Sequence, residues 1–195
     1  MTIGKTIVSI TDTLVTWTSG LEVDADGAPN AYNMQDTGID ALANAGKLDS
    51  WYGLACDAQK KPYIQDAAAP FPGYYISQTA MVDESKNLWD VNRYVDSTKV
   101  PYISIPHELL GIIHKGDLAL VRYKGVVVSS IVAEVGPYKK IGEGSIALHR
   151  ALGFDPFRGK PKHRLVGVES GIVFLVTRNS ATTPPWPRVS LMRIV

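Results

Sequence analysis

The chain has 195 residues, of which 45% are hydrophobic, and 20 Lys and Arg balance 19 Asp and Glu to a formal net charge of +1. That composition excludes a disordered chain, a collagen and a coiled coil, and it lacks the basicity of a dedicated nucleic-acid binder. The single cysteine, Cys56, excludes an internal disulfide and a thiolate metal cluster. One domain of this size can bury a sizeable core without either staple.

No stretch approaches the roughly 18 apolar residues of a membrane span, so no membrane partner is expected. The N-terminal segment Met1–Trp17 carries Lys5, but Thr, Ser and Asp interrupt its apolar runs. It lacks the apolar core of a secretory signal. The expectation is a protein that stays where it is made, is released by lysis or a dedicated machine, or has lost a signal. Charge is uneven: residues 1–66 hold nine acids against four Lys and Arg, and residues 134–195 hold four against ten. No linker accompanies the shift, so acidic and basic faces of a single domain, 1–195, are expected.

In chain order, the first predicted element is a helix over Thr37–Ala45, closed by Gly46. A strand over Tyr102–Ile105 follows, bracketed by Pro101 and Pro106, then a helix over Pro106–His114. Asp117–Tyr123 and Val126–Ala133 are β-branched runs joined at Lys124-Gly125, a hairpin signal. Ser145–Leu152 predicts a helix ending at Gly153. Gly171–Thr177 and Val189–Val195 predict the last strands. Many short strands with few helices give a mainly β fold, a β-barrel decorated by a few helices and long loops, with a double-psi-like barrel among its forms.

Two glutamates stand out as candidate catalytic residues. Glu134 ends an apolar strand, immediately before Val135-Gly136-Pro137. Glu143 lies nine positions later between Gly142 and Gly144, and flanking glycines let a bulky substrate approach. Each alone also fits a solvated turn acid, or a helix-entry acid near Ser145. A pair of carboxyl groups is what glycosidic hydrolysis requires, one protonating the leaving oxygen and one activating water. A second cluster, Asp24-Ala25-Asp26-Gly27-Ala28-Pro29, opens like an EF-hand loop but has Gln35 where the bidentate Glu belongs. It fits a turn with side-chain-to-backbone hydrogen bonds, or a substrate contact.

These pieces, with Asn30-Ala31-Tyr32, the Asp40–Gly46 segment, Gly73 to Thr79, Gly116-Asp117, Gly136-Pro137 and Ile141 to Leu148, resemble glycoside hydrolase family 75, the chitosanases first described from fungi. The resemblance covers roughly residues 21–187 and rests on the order and spacing of the pieces together. It implies endo-hydrolysis of β-1,4 linkages in chitosan or a related glucosamine-containing polymer, by inversion and without a cofactor or metal. It places the two essential carboxyl groups at Glu134 and Glu143. It also makes Asp24, Asp26, Tyr32, Tyr75, Ser77, Thr79 and Asp117 candidate substrate-binding residues. The implied protein is a monomer acting on an extracellular polysaccharide, with no nucleic-acid partner.

The family has Asp where this chain has Glu134, and Gly where it has Ala133. The added methylene moves a carboxyl group by roughly 1–1.5 Å, and errors of that size can cost about a hundredfold in rate. Three readings follow: a retained chitosanase, an enzyme for peptidoglycan or chitin (a muramidase or lytic transglycosylase of a phage lysin or delivered effector), or an inactive polysaccharide-binding module. Chitosan is a polycation and calls for an acidic cleft, which Asp24, Asp26, Asp36 and Asp40 can supply. The basic run Arg158–Arg164 must then lie away from that cleft or serve an anionic polymer. Tyr32, Trp51, Tyr52, Tyr74, Tyr75 and Trp89 are candidate stacking platforms, and Trp186 is pinned between prolines. His107, His114, His149 and His163 lack metal-ligand spacing, with His149 expected on the surface near the site. Apolar neighbours point to Glu134 as the acid, and the nearby helix start points to Glu143 as the base.

Overall fold

The computed structural model describes residues 1–157 and 165–181. The basic run Arg158–Arg164, which includes His163, and the expected strand Val189–Val195 with Trp186 lie outside the described residues. Of the described residues 40% are strand and 9% helix, and six strands close into a barrel.

Three strands precede anything the sequence announced: β1 (Thr2–Ile3), β2 (Thr6–Ile10) and β3 (Leu14–Asp24). Val15, Trp17 and Leu21 are buried along β3, with polar residues interleaved, which is the period of a half-buried strand. A two-residue pair, β4 (Gly46–Lys47) and β5 (Ser50–Trp51), lies in the long excursion that follows. Next come β6 (Tyr102–Pro106), β7 (Leu118–Tyr123), β8 (Val126–Gly136), β9 (Glu143–Ser145), the helix α1 (Ile146–Ala151) and β10 (Val168–Thr177). The barrel runs β3-β10-β7-β8-β6-β9 and returns to β3, with β2 and then β1 added outside β3. Two of its pairings, β6 with β8 and β3 with β9, are parallel, which no simple meander could produce.

The barrel core holds Val15, Trp17, Ile103, Val121, Val132 and Phe174, among others. Trp17 stacks on Phe174 with ring centroids 4.8 Å apart. The excursion between β3 and β6 builds a separate cluster around Ala28, Tyr32, Leu54 and Tyr75, and Ile146 of α1 joins it. A cleft is thereby formed between this layer and the outer face of the barrel. No helix among the described residues is long and apolar enough to cross a membrane.

Two predicted helices are corrected. Thr37–Ala45 contains only a 3-10 turn, Leu42–Ala45. Asp36 Oδ1 accepts from the Leu42 N–H, and Asp40 Oδ1 from Ala41 N–H and Asn44 Nδ2, so side chains take the groups a helix would use. Pro106–His114 contains only the 3-10 turn His107–Leu109, because Pro106 belongs to β6 and Gly111 sits at φ +84°. The third helix forms as read from its capping residues. Ser145 Oγ accepts from Leu148 N–H at 3.0 Å, and Gly153 follows the end at φ +90°. His149 is another correction. It is fully buried, with Nδ1 2.9 Å from the Ser145 carbonyl and Nε2 3.1 Å from the Leu21 carbonyl, and it pins α1 to β3.

Asp117 belongs to the framework. Its carboxylate is fully buried and accepts from Ser180 N–H (2.8 Å), Ala181 N–H (3.0 Å) and His114 N–H (2.8 Å). Asp117→Ala orphans all three donors and is expected to cost on the order of 3 kcal/mol or more, at about 1–3 kcal/mol each. A urea titration measures this as a lowered midpoint. An unchanged midpoint with weakened substrate binding would return Asp117 to the substrate-binding set.

Candidate active site

Register brings the two glutamates together. Ser104 of β6 is the partner of Glu134 on β8 and of Glu143 on β9. Residues opposite one another on paired strands share a face, so Glu134, Ser104 and Glu143 form one row. Ile103 and Ile105 pack into the barrel core, so this row faces outward, into the cleft.

A β-bulge makes that arrangement possible. Ile103 pairs with Val132, but Ser104 pairs with Glu134, so Ala133 is the extra residue. Strict alternation would have placed Glu134 on the face of Val132, inside the barrel. The bulge turns it to the opposite face, a recurrent use of bulges beside functional sites. Glu143 follows Gly142, which sits at φ +94° with its Cα so near β3 that a Cβ would stand 2.4 Å from the Gly20 carbonyl oxygen. Glycine is required there to bring β9 alongside β3.

The cleft has a volume of about 1450 Å³, and Glu134, Glu143, Ser104, Asp24, Asp26 and Tyr32 all line it. Eight acidic residues line it in all, against a single cation among the described residues, Lys140. Lys140 Nζ lies 2.6 Å from Glu143 Oε1 and 3.1 Å from Glu22 Oε2. Burial works against the charge of Lys140, but these two carboxylates raise its pKa above the ordinary lysine value. The partner of Glu143 is therefore this lysine rather than the N–H groups of α1.

Burial of the carboxyl groups, reinforced by their crowding, dominates the electrostatics. Asp24 lies beside both glutamates, and burial, then the charge of Glu143, pushes its pKa up to about 7. For Glu134 the same causes, burial first and then Asp24, push it up to about 8. They outweigh the N–H groups of Ala80 and Val135, which donate to Glu134 Oε2 and Oε1, each at 2.8 Å. Asp26 is also raised well above the ordinary range, by burial and then by Asp24 and Glu134. Tyr32 Oη lies 2.8 Å from Asp26 Oδ1 and 3.3 Å from Asp40 Oδ2. Burial raises Asp40 too.

Three candidate substrate-binding residues lie behind the cleft wall instead of lining it. Ser77 Oγ accepts from Gly27 N–H and donates to the Gly53 carbonyl. Thr79 donates to the Met81 carbonyl and accepts from Val95 N–H. Tyr75 is buried in the excursion's own cluster. Of the aromatics, Tyr52 lines the cleft and is 66% exposed, as a stacking platform must be, whereas Trp89 is exposed elsewhere, against Tyr63. Lys140 and Ser104 went unread in the sequence. The signal for Ser104 was a serine in an otherwise apolar run, and that for Lys140 a lysine three residues before Glu143. Among the described residues no three His, Cys, Asp or Glu side chains are grouped to hold a metal ion.

No protein-family model matches the chain, and no curated protein matches it.

The raised carboxyl pKa values give stability a pH dependence. A carboxyl group whose folded pKa lies above its unfolded value binds more protons in the folded state between the two, so stability falls as pH rises through that window. For Asp24 the window runs from 3.8 to about 7, and for Glu134 from 4.5 to about 8. The melting temperature is expected to decline between pH 5 and pH 9, with a shallower decline in Glu134→Gln. A calorimetric series with equal slopes for both proteins would contradict the shift at Glu134.

Proposed function

We propose that the protein is a glycoside hydrolase that cleaves glucosamine-containing β-1,4 polymers, chitosan first, with Glu134 as general acid and Glu143 as general base. The observation that carries this reading is the row Glu134–Ser104–Glu143 on the floor of an acid-lined cleft. The two glutamate Cα atoms lie two strand spacings apart, about 9–10 Å at 4.7–4.9 Å per strand. Inverting pairs place their carboxyl groups about 6.5–9.5 Å apart to admit a water, whereas retaining pairs stand at about 5–5.5 Å. The resemblance to family 75 implies inversion.

The electrostatic asymmetry supports the division of roles. An acid catalyst must hold its proton at neutral pH, and Glu134, raised to about 8, does so. Glu143, ion-paired with Lys140, is the carboxylate that accepts a proton from water. Among the described residues, eight lining acids against one neutralised lysine suit a polymer of ammonium sugars. They would repel the lactyl and peptide carboxylates of a muramyl polymer. The motifs that resemble family 75 agree with this substrate.

Incubation with chitosan and, separately, with peptidoglycan, followed by mass spectrometry and anomer analysis by NMR, tests the reading. Glucosamine oligomers of inverted configuration are expected from chitosan alone. Glu134→Gln and Glu143→Gln should each lose at least about a hundredfold in kcat, while Glu134→Asp retains or gains activity. A substrate with an activated leaving group should largely rescue Glu134→Gln and leave Glu143→Gln inactive. Anhydro-sugar products from peptidoglycan, or binding without turnover, would replace the proposal.

A further inference from the structure

The row of Glu134, Ser104 and Glu143 continues onto one more strand. Glu143 of β9 is also the register partner of Glu22 on β3, in the parallel pairing that closes the barrel. Like charges directly opposite one another on paired strands repel. Lys140 Nζ stands between these two carboxylates, 2.6 Å from Glu143 Oε1 and 3.1 Å from Glu22 Oε2. The side chain of Glu22 is 67% exposed and that of Glu143 only 14%, so the lysine links an acid at the cleft mouth to one on its floor.

The backbone that carries Lys140 is tied down on both sides of it. Lys139 N–H donates to Glu108 Oε1 at 2.9 Å, and Tyr138 stacks on His107 with ring centroids 4.6 Å apart. On the other side, Ile141 packs against the barrel core, and the Gly142 carbonyl accepts from Glu22 N–H at 2.7 Å. A lysine on an exposed loop loses side-chain freedom to hold an ion pair, and such pairs are worth little. Here the loop is fixed and two carboxylates share the ammonium, so the pair is organised before substrate arrives.

We propose that Glu22, Lys140 and Glu143 act as a triad, in which Lys140 is the positioning residue for the Glu143 carboxylate and Glu22 is the counter-ion that holds Lys140 through the reaction. The catalytic part of this rests on the hydrolase reading above. In that reaction the water oxygen bonds to the anomeric carbon as the bond to the leaving oxygen breaks. Glu134 gives its proton to the leaving oxygen, and Glu143 takes one from the water and becomes neutral. Lys140 thereby loses the charge of its nearer partner. Glu22 still balances it, so no uncompensated ammonium is left beside the neutral acid. The same counter-charge screens Lys140 from a cationic substrate, which an unpaired lysine in the cleft would repel.

The charged groups that face Glu143 among the described residues are Glu22 and Asp24 of β3, Glu134 of β8 and Lys140. Replacing members of the triad therefore moves the low-pH limb of kcat/KM on chitosan oligomers in opposite directions. Lys140→Met removes a cation, favours the protonated base and shifts the limb to higher pH, while Glu22→Gln removes an anion and shifts it to lower pH. Lys140→Met should also lower kcat about 10–100-fold with KM within about threefold, and Lys140→Arg, which keeps the charge, should recover part of that loss. A structural role alone would not split the two limbs. Lys140→Met at full kcat, or limbs that stay in place or move together, would overturn the proposal. The pairing itself is read without substrate, as the side-chain ammonium NMR signal of Lys140, assigned by its loss in Lys140→Met. Slow proton exchange is expected in the wild type and faster exchange in Glu22→Gln, and equal exchange in both would remove Glu22 from the triad. If the wild type cleaves no glucosamine polymer yet shows this difference, the triad stands as an ion-pair clamp and the hydrolase reading falls.

Discussion

The pairing of β6 with β8 on one side and β9 on the other is the constraint on which the rest of the site depends. Ser104 is opposite Glu134 and Glu143 at once, so backbone hydrogen bonding, rather than loop placement, sets the spacing of the two carboxyl groups. A slip of one residue would turn each side chain to the other face. Complete burial of Tyr102–Pro106 makes such a slip costly, since it would drive Ile103 and Ile105 out of the core. The bulge at Ala133 is the one departure from regular pairing between β6 and β8, and it delivers Glu134 to the cleft. Its carboxyl group is then gripped by the N–H groups of Ala80 and Val135, one on each oxygen. That grip fixes the position of the side chain.

Carboxyl groups assembled this closely cannot all ionise cheaply. Burial raises the pKa of Asp24, Asp26 and Glu134 most, and neighbouring charge adds to it: Glu143 acts on Asp24, and Asp24 acts on Asp26 and Glu134. Lys140 relieves only one side of the cluster, where it joins Glu143 to Glu22. The result is a cleft with a protonated acid at one end of the row and an ion-paired carboxylate at the other, from two residues of the same type. Stability is given up in exchange, since a barrel with apolar residues at these positions would not lose stability toward alkaline pH. The surplus negative charge among the described lining residues is what the proposed cationic substrate rests on.

Much of this was legible in the sequence. β-Branched runs marked β7, β8 and β10, and Ser145 with Gly153 marked α1, because these signals are local. Glu134 and Glu143 could be picked out by their strand-end and glycine-flanked positions. Their meeting across Ser104 could not, because it depends on β6 lying between two strands that follow it in the chain. The bulge was equally hidden, since Val132 and Glu134 read as neighbours on one face. Thr37–Ala45 is rich in helix formers, yet Asp36 and Asp40 divert its N–H groups to their own side chains. Asp117, Ser77 and Thr79 have the polarity of ligand contacts, but long-range partners absorb their hydrogen bonds, and sequence spacing carries no trace of those partners.

The central claim is that the site holds a proton on Glu134 at neutral pH. A carboxyl-carbon NMR titration, with the Glu134 resonance assigned by its loss in Glu134→Gln, measures this directly. The expected result is a Glu134 carboxyl group still protonated at pH 7 and titrating near pH 8, as burial and Asp24 require. A midpoint near the ordinary glutamate value of 4.5 would mean that no acid catalyst is stored in the row, and would contradict the claim.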